Sequence, residues 1–209
     1  MKRLAILGAS GHGKVVADAA LLAGWQSVDF YDDAWPRVSS IGPWPVAGTT
    51  AELINQARQY DGAVVAIGDN ATRLMKLDVL AAAGVALATI VHPAAVVSPF
   101  AAVGEGSAIL AGAVLNAFAV LGRGCILNTC SSVDHDCELA EGVHVSPGVR
   151  LGGDVRVGRG AWIGLGASVK HGVRIGAGVQ VGAGASVVND VSDGLTVVGV
   201  PAKPMERRR

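Results

Sequence analysis

The chain of 209 residues has no net charge, with 17 Lys and Arg against 17 Asp and Glu, so no overall field draws in nucleic acid or an anionic membrane. Its one basic cluster, Arg207 to Arg209, reads as a solvated tail. Cysteine is scarce. Cys125, Cys130 and Cys137 lack zinc-ligand spacing, which suits a reducing compartment better than a disulfide-stapled secreted scaffold. Long apolar runs are missing too: Val79 to Val91 falls short of a membrane span. The run after Met1, Lys2 and Arg3 is broken by Gly8 to Lys14, too early for a signal-peptide core. The expected location is the cytoplasm, with neither nucleic acid nor membrane as partner. What is plentiful is apolar side chain, at 51%, and glycine, at 29 residues. That composition supports a sizeable core in one or two domains and excludes disorder.

The glycines and aliphatics are ordered by a period of six. From Val91 to Val187, every sixth residue is Val, Ile or Leu, seventeen in succession, and the residue four places after each is small or slim, from Ala95 to Val191. A helix would repeat at 3.6 and a strand at 2. A fixed longer period is the signature of a solenoid. Each hexapeptide is expected to form a short strand and a corner, with the aliphatic side chain inward. Coils that cannot bury their apolar side alone then stack about 4.8 Å apart. With three hexapeptides to a coil, a residue lies over its counterpart three hexapeptides earlier. Cys125 and Cys137 fall on the inward slim column, and Cys130 falls off it.

The first ninety residues read differently. Strand 3–7, the loop Gly8-Ala9-Ser10-Gly11-His12-Gly13 and a helix from Lys14 to Ala23 form a strand–loop–helix unit whose amide groups suit an anion. The glycine order is not that of the dinucleotide fingerprint. A second strand, Ser27 to Tyr31, ends in Asp32-Asp33, where carboxylates accept hydrogen bonds from ribose hydroxyls in related α/β units. An irregular stretch spans residues 35–48, and Thr49 or Thr50 caps a helix running to about Arg58. A third strand, Ala63 to Ile67, precedes Gly68-Asp69-Asn70 and a helix reaching about Ala83. A last strand, Leu87 to Val91, leads into the solenoid. The solenoid is expected to end near Val191, because the prolines of Val198 to Pro204 cannot continue a ladder.

Chemistry is expected where a regular solenoid departs from its repeat. His135 is third in its hexapeptide, off the core, between Asp134 and Asp136, and a carboxylate neighbour favours imidazolium and orients the ring for base work. Residue 153 stacks over it and is glycine, whose N–H is a candidate oxyanion donor. His171 stacks a further coil away, about 10 Å from His135, and reads as incidental.

Taken together, GASGHG at 8–13, Asp32-Asp33, IGDN at 67–70 with Arg73, NTCSSVDHDC at 128–137, HVSPG at 144–148 and GVPAK at 199–203 resemble one family. It is that of the bacterial nucleotide-sugar acetyltransferases of the sialic-acid O-acetyltransferase and bacillosamine N-acetyltransferase type. The resemblance implies an α/β N-terminal Rossmann-like domain (1–90) that holds a nucleotide amino sugar, and a left-handed parallel β-helix (91–209). It also implies a homotrimer with acetyl-CoA in the groove between neighbours, and no metal. It places the base on His135 and its supporting carboxylate on Asp136, where the bacillosamine enzymes carry Glu, so Asp134 stays open as an alternative. Acetyl-CoA contacts fall on His144, Gly153, Leu165 and Ala183; substrate contacts fall on Ser10, Gly11, His12, Asp32, Asp33 and Gly68. The implied reaction is N-acetylation of a nucleotide-linked 4-amino-4,6-dideoxy hexose. Open beside it are O-acetylation of a sialic-acid-type sugar, a zinc solenoid enzyme of the γ-carbonic anhydrase kind, and a structural solenoid.

Overall fold

The computed structural model describes residues 2–205; the Arg207 to Arg209 cluster lies outside them. The architecture is the expected one, an α/β domain followed by a left-handed parallel β-helix. In the α/β domain, β1 (Arg3–Leu7) lies between two parallel neighbours, β2 (Ser27–Tyr31) and, later in the chain, β5 (Gly62–Val65). Between them a two-residue hairpin of β3 (Ser40–Ile41) and β4 (Trp44–Pro45) folds part of the stretch expected to be irregular. Three helices connect the strands: α1 (Gly11–Leu22), α2 (Thr50–Gln56) and α3 (Asn70–Ala82). Helix α1 starts earlier than its apolar pattern suggests, so Gly11, His12 and Gly13 form its first turn rather than a loop. Helix α2 starts as expected: Thr49 accepts from Ala51 N–H while Glu52 reaches back to Thr49 N–H, the reciprocal pairing that satisfies two orphan donors.

The solenoid runs through seventeen two-residue strands, from β6 (Ile90–Val91) to β22 (Ser186–Val187), each pairing in parallel with its counterpart in a neighbouring coil. They form three faces, named here by chain order. The first carries β6 and every third strand after it, the second starts at β7 (Val96–Val97), and the third at β8 (Ala102–Val103). Inward aliphatics from Ile109 to Val187 and slim residues from Ala113 to Ala185 form one buried core. Cys125 and Cys137 sit in it fully buried. At the open first coil the pattern is only half-satisfied, and Val91 is 36% exposed because no coil lies beneath it.

Two expectations at the ends of the solenoid need correction. Residues 87–91 are not one strand: Leu87 makes a single bridge to Ala63, whereas Ile90 and Val91 pair with Ala108 and Ile109 as the first rung. The division at 90/91 therefore falls inside β6. At the other end the ladder does not stop near Val191. Here β23 (Thr196–Val198) extends the first face in parallel, and β24 (Lys203–Pro204) folds back on it antiparallel. The prolines permit this because Pro201 lies in the reversal and Pro204 on the outermost strand, where no ladder N–H is missed.

The domains share packing. Ala108 and Leu110 of the first face join Leu4, Ile6, Val16 and Phe30 in one buried cluster. Along the corner between the third and first faces, Gly106, Gly124 and Gly142 all have positive φ. A Cβ on any of them would come within 2.7 Å of a methyl of Leu77 or Leu74. Helix α3 therefore beds its leucines on a column of glycines that recurs once per coil. Its first turn also reads the carbonyls of the same column. Arg73 is 1% exposed. It donates to Gly124 O at 2.8 Å, Gly142 O at 2.8 Å, Ile67 O at 2.9 Å, Gly68 O at 3.1 Å and Asn70 Oδ1 at 2.7 Å. Asn70 Nδ2 takes the next rung, at Gly160 O and Ala161 O.

Candidate active site

His135 stands at the corner between the second and third faces, with its side chain 60% exposed. Its Nδ1 lies 2.7 Å from Asp136 Oδ2. Asp134 is engaged elsewhere: its Oδ1 accepts from His135 backbone N–H and from Asn116 Nδ2, each at 2.8 Å. Of the two flanking carboxylates, Asp136 is thus the one on the ring, and Asp134 holds the backbone that presents it. The His135 pKa is raised, first by the Asp136 hydrogen bond and then by the charge of Asp134. Gly153 stacks on this corner as the three-hexapeptide coil requires, but it serves the histidine directly. A Cβ there would sit 2.5 Å from Cε1 and Nε2 of the ring, so glycine is what lets the imidazole lie flat across the coil. The Gly153 N–H has no acceptor among the described residues. Beside it a cleft of about 530 Å³ runs from Asp134 and His135 past Gly152 and Gly153 to His171. A larger groove, about 680 Å³, lies along the third face past Arg156 and Arg174, but Arg156 there is paired with Glu138 and no histidine lines it.

A second cluster forms where the α/β domain covers the first face. His144 is 6% exposed and stacks at 4.8 Å on Trp162, the residue above it in register. Its Nε2 lies 3.2 Å from Asn128 Nδ2. His12, from the first turn of α1, brings its ring to 6.4 Å from that of His144. His12 Nε2 and His144 Nδ1 are buried without a well-formed hydrogen bond, although the Gly68 backbone lies close enough to His144 to act on it. An unpaired buried nitrogen in a native site points to a bound group that supplies a partner. Burial, then the Arg73 charge, pushes His12 down to about 4. The same causes, with His12 added, push His144 to about 3. Both rings are therefore neutral at pH 7. Ser10 caps α1 without using its hydroxyl on the helix. Around a Cβ on Gly11 there is open space for 4 Å. Hydroxyl, amides and helix N-terminus all face outward, as an anion needs.

The remaining candidates are placed less simply. The Asp32 carboxylate accepts from Ala9 N–H at 2.8 Å and Ala34 N–H at 2.9 Å, so it shapes the glycine loop. Asp33 accepts from Thr50 N–H at 2.8 Å and pairs with Lys76. Gly68 lends its carbonyl to Arg73. Leu165, 60% exposed, and Ala183, also exposed, lie on the corner between the first and second faces, away from Gly153. One chain therefore brings His135, Asp136 and Gly153 together, and separately brings Ser10, Gly11, His12 and His144 together. It does not join the two sets: the solenoid core lies between them.

Residues 3–80 match the PglD N-terminal domain family. The chain is 43% identical to the acetyltransferase domain of PglB from Neisseria gonorrhoeae FA1090, covering 98% of this chain and 100% of that one, with a TM-score of 0.93. That domain has also been determined with acetyl coenzyme A. Similarity extends to a histidine-to-alanine mutant of GDP-perosamine N-acetyl transferase from Caulobacter crescentus, in complex with CoA and GDP-perosamine. There the identity is 37%, the coverage 99% of this chain and 98% of that one, and the TM-score 0.94. The chain belongs to this family of hexapeptide-repeat sugar acetyltransferases. A further similar structure is WeeI from Acinetobacter baumannii AYE, 27% identical over 98% of this chain and 100% of that one, with a TM-score of 0.87. No curated protein sequence matches the chain. For this sugar acetyltransferase, sequence reasoning gave Asn128 no role beyond its place in the 128–137 segment and missed Trp162 and Asn116. The coil register could have found Trp162, which follows His144 by three hexapeptides; nothing in the sequence pairs His12 with His144. Among the described residues no three His, Cys, Asp or Glu side chains gather as a metal set, and no helix is long and apolar enough to cross a membrane.

Proposed function

We propose that the protein transfers the acetyl group of acetyl-CoA to the amine of a nucleotide-linked amino sugar, in a site completed by a second copy of the chain. The observation that carries this reading is the exposed His135–Asp136 pair, set on a solenoid corner away from the α/β domain that would hold the acceptor. The amine attacks the thioester carbonyl, forming the N–C bond. His135 Nε2, freed for proton transfer because Nδ1 faces Asp136, takes the amine proton and returns it to the departing thiolate as the C–S bond breaks. The Gly153 N–H donates to the oxyanion. Ser10, Gly11 and His12 bind the nucleotide sugar, and His144 orients the acetyl donor. Copies related by a closed rotation would set the His135 corner of one against the first face of the next, and a trimer is the assembly we assign. The relatives' names favour an amine over a hydroxyl as acceptor, and we place the enzyme in the cytoplasm.

Subunit mixing tests both the residues and the assembly. His135→Ala and Gly11→Glu, the latter putting a carboxylate where a phosphate is expected, should each be inactive alone. Co-refolded in equal amounts, they should regain about a quarter of wild-type turnover, since one site in four pairs two intact halves. No recovery in mixed oligomers of the right mass would place the whole site within one chain and refute the reading.

A further inference from the structure

Corners of this solenoid turn through a left-handed residue, and that residue is almost always glycine. Along the corner between third and first faces it is Gly106, Gly124, Gly142, Gly160 and Gly178. Along the corner between first and second faces, from residue 112 onward, only Cys130 departs from glycine. The His135 corner is different: the left-handed position holds Phe118 (φ 63°), Asp136 (φ 59°) and Asp154 (φ 55°) in three successive coils before glycine returns at 172. A bulky residue with positive φ is strained, and strain of this kind gathers at functional sites. Asp136 already has a function to offset it, as the partner of His135.

Phe118 lies one coil below Asp136, whose N–H donates at 3.2 Å to the carbonyl of Ala117. Its ring is 63% exposed. It packs on Phe100, at 5.7 Å between centroids, and Phe100 is itself 68% exposed. Two unburied rings would cost solubility on any plain surface, and the strained backbone adds to the cost. Beside a base that must meet a sugar, an aromatic face is the group that packs against the apolar side of a pyranose while leaving its polar substituents free. The pair lies on the opposite side of His135 from Gly153 and His171, so it flanks the base where the cleft of about 530 Å³ does not.

We propose that Phe118, backed by Phe100, is a specificity-determining wall of the acceptor site that holds the apolar face of the amino sugar against His135. This rests on the acetyl-transfer reading above. It makes a methyl at C6 a better fit than a hydroxymethyl, because a hydroxyl pressed on the rings loses its water without gaining a partner.

Phe118→Gly tests it and does not depend on tolerance of a damaged fold, since glycine is what the equivalent corners use and should not lower the melting temperature. The assay is steady-state kinetics with acetyl-CoA and a GDP- or UDP-linked 4-amino-4,6-dideoxyhexose, whichever the wild type turns over. The expected result is a roughly 10- to 100-fold loss in kcat/KM for the acceptor, the range for losing one buried aromatic contact. KM for acetyl-CoA should stay within about twofold, and Phe100→Ala should give a smaller loss in the same direction. An unchanged acceptor kcat/KM overturns the assignment. So does a drop in oligomer mass by light scattering, which would make the pair a contact between copies. A wild type that acetylates no nucleotide amino sugar overturns the functional reading as well, whereas an active wild type with an unaffected Phe118→Gly overturns this inference alone.

Discussion

Replacing Arg73 by Met should uncouple the two domains. The guanidinium is buried and makes five hydrogen bonds, two of them to solenoid carbonyls in adjacent coils and none to a carboxylate. Burial lowers its pKa to about 10, so it is still a cation at neutral pH. Met keeps most of the volume and removes the desolvated charge, but it leaves three buried acceptors and two half-buried ones without their donor. At about 1 kcal/mol for each orphaned acceptor, less the relief of the buried charge, the net loss is on the order of 4 kcal/mol. That is a large part of a typical total of about 5–15 kcal/mol. The leucines of α3 would still lie on their glycine column, but this contact alone should not hold the domains together, so they should separate before they unfold individually. Urea denaturation followed by tryptophan fluorescence should show one transition for the wild type. The variant should show two, the earlier from the α/β domain that carries Trp25, Trp35 and Trp44, the later from the solenoid that carries Trp162. A single transition shifted by less than about 1 kcal/mol, the size of one net hydrogen bond, would mean that the leucine–glycine contact, not Arg73, holds the domains together.

Changes at the base and at the buried histidines can be measured independently. His135→Ala should lower kcat by roughly 10²- to 10⁴-fold, the usual range for a general base, without moving the melting temperature, since the side chain is exposed. Asp136→Asn should shift the acid limb of the kcat/KM profile to lower pH, because the carboxylate raises the His135 pKa; an unmoved limb would remove Asp136 from the role. In the fold, His12 and His144 are held near 4 and 3, against about 6.5 in the unfolded chain. The unfolded state therefore gains protons first as pH falls. The stability these rings contribute is complete above pH 6.5 and is lost on going down towards pH 4 and 3. For His12 this is on the order of 3 kcal/mol between pH 6.5 and pH 4. Urea midpoints across that range should fall for the wild type and fall less for His12→Gln; parallel curves would refute the buried neutral state.

Much of this molecule could be read from one dimension. A six-residue period fixes an inward column, and with coils of three hexapeptides, stacking places Gly153 over His135. Local rules likewise account for the Thr49 cap with its Glu52 return. These are properties of near neighbours and of a strict repeat, which a sequence states directly. The tertiary structure alone decided which carboxylate serves His135. Asp134 and Asp136 are equivalent in sequence, but only one side of the ring faces a carboxylate once Asn116, a coil away, has engaged the other. It decided that His12 and His144, which belong to different domains, share a buried space, because helix α3 had to bed its leucines and Arg73 on glycines of three different coils. And it decided that His135 and the residues proposed to hold the acceptor, Ser10 to His12, lie on different sides of one prism. No spacing rule shows this, because which corner faces the α/β domain is set by packing between two units with different periods.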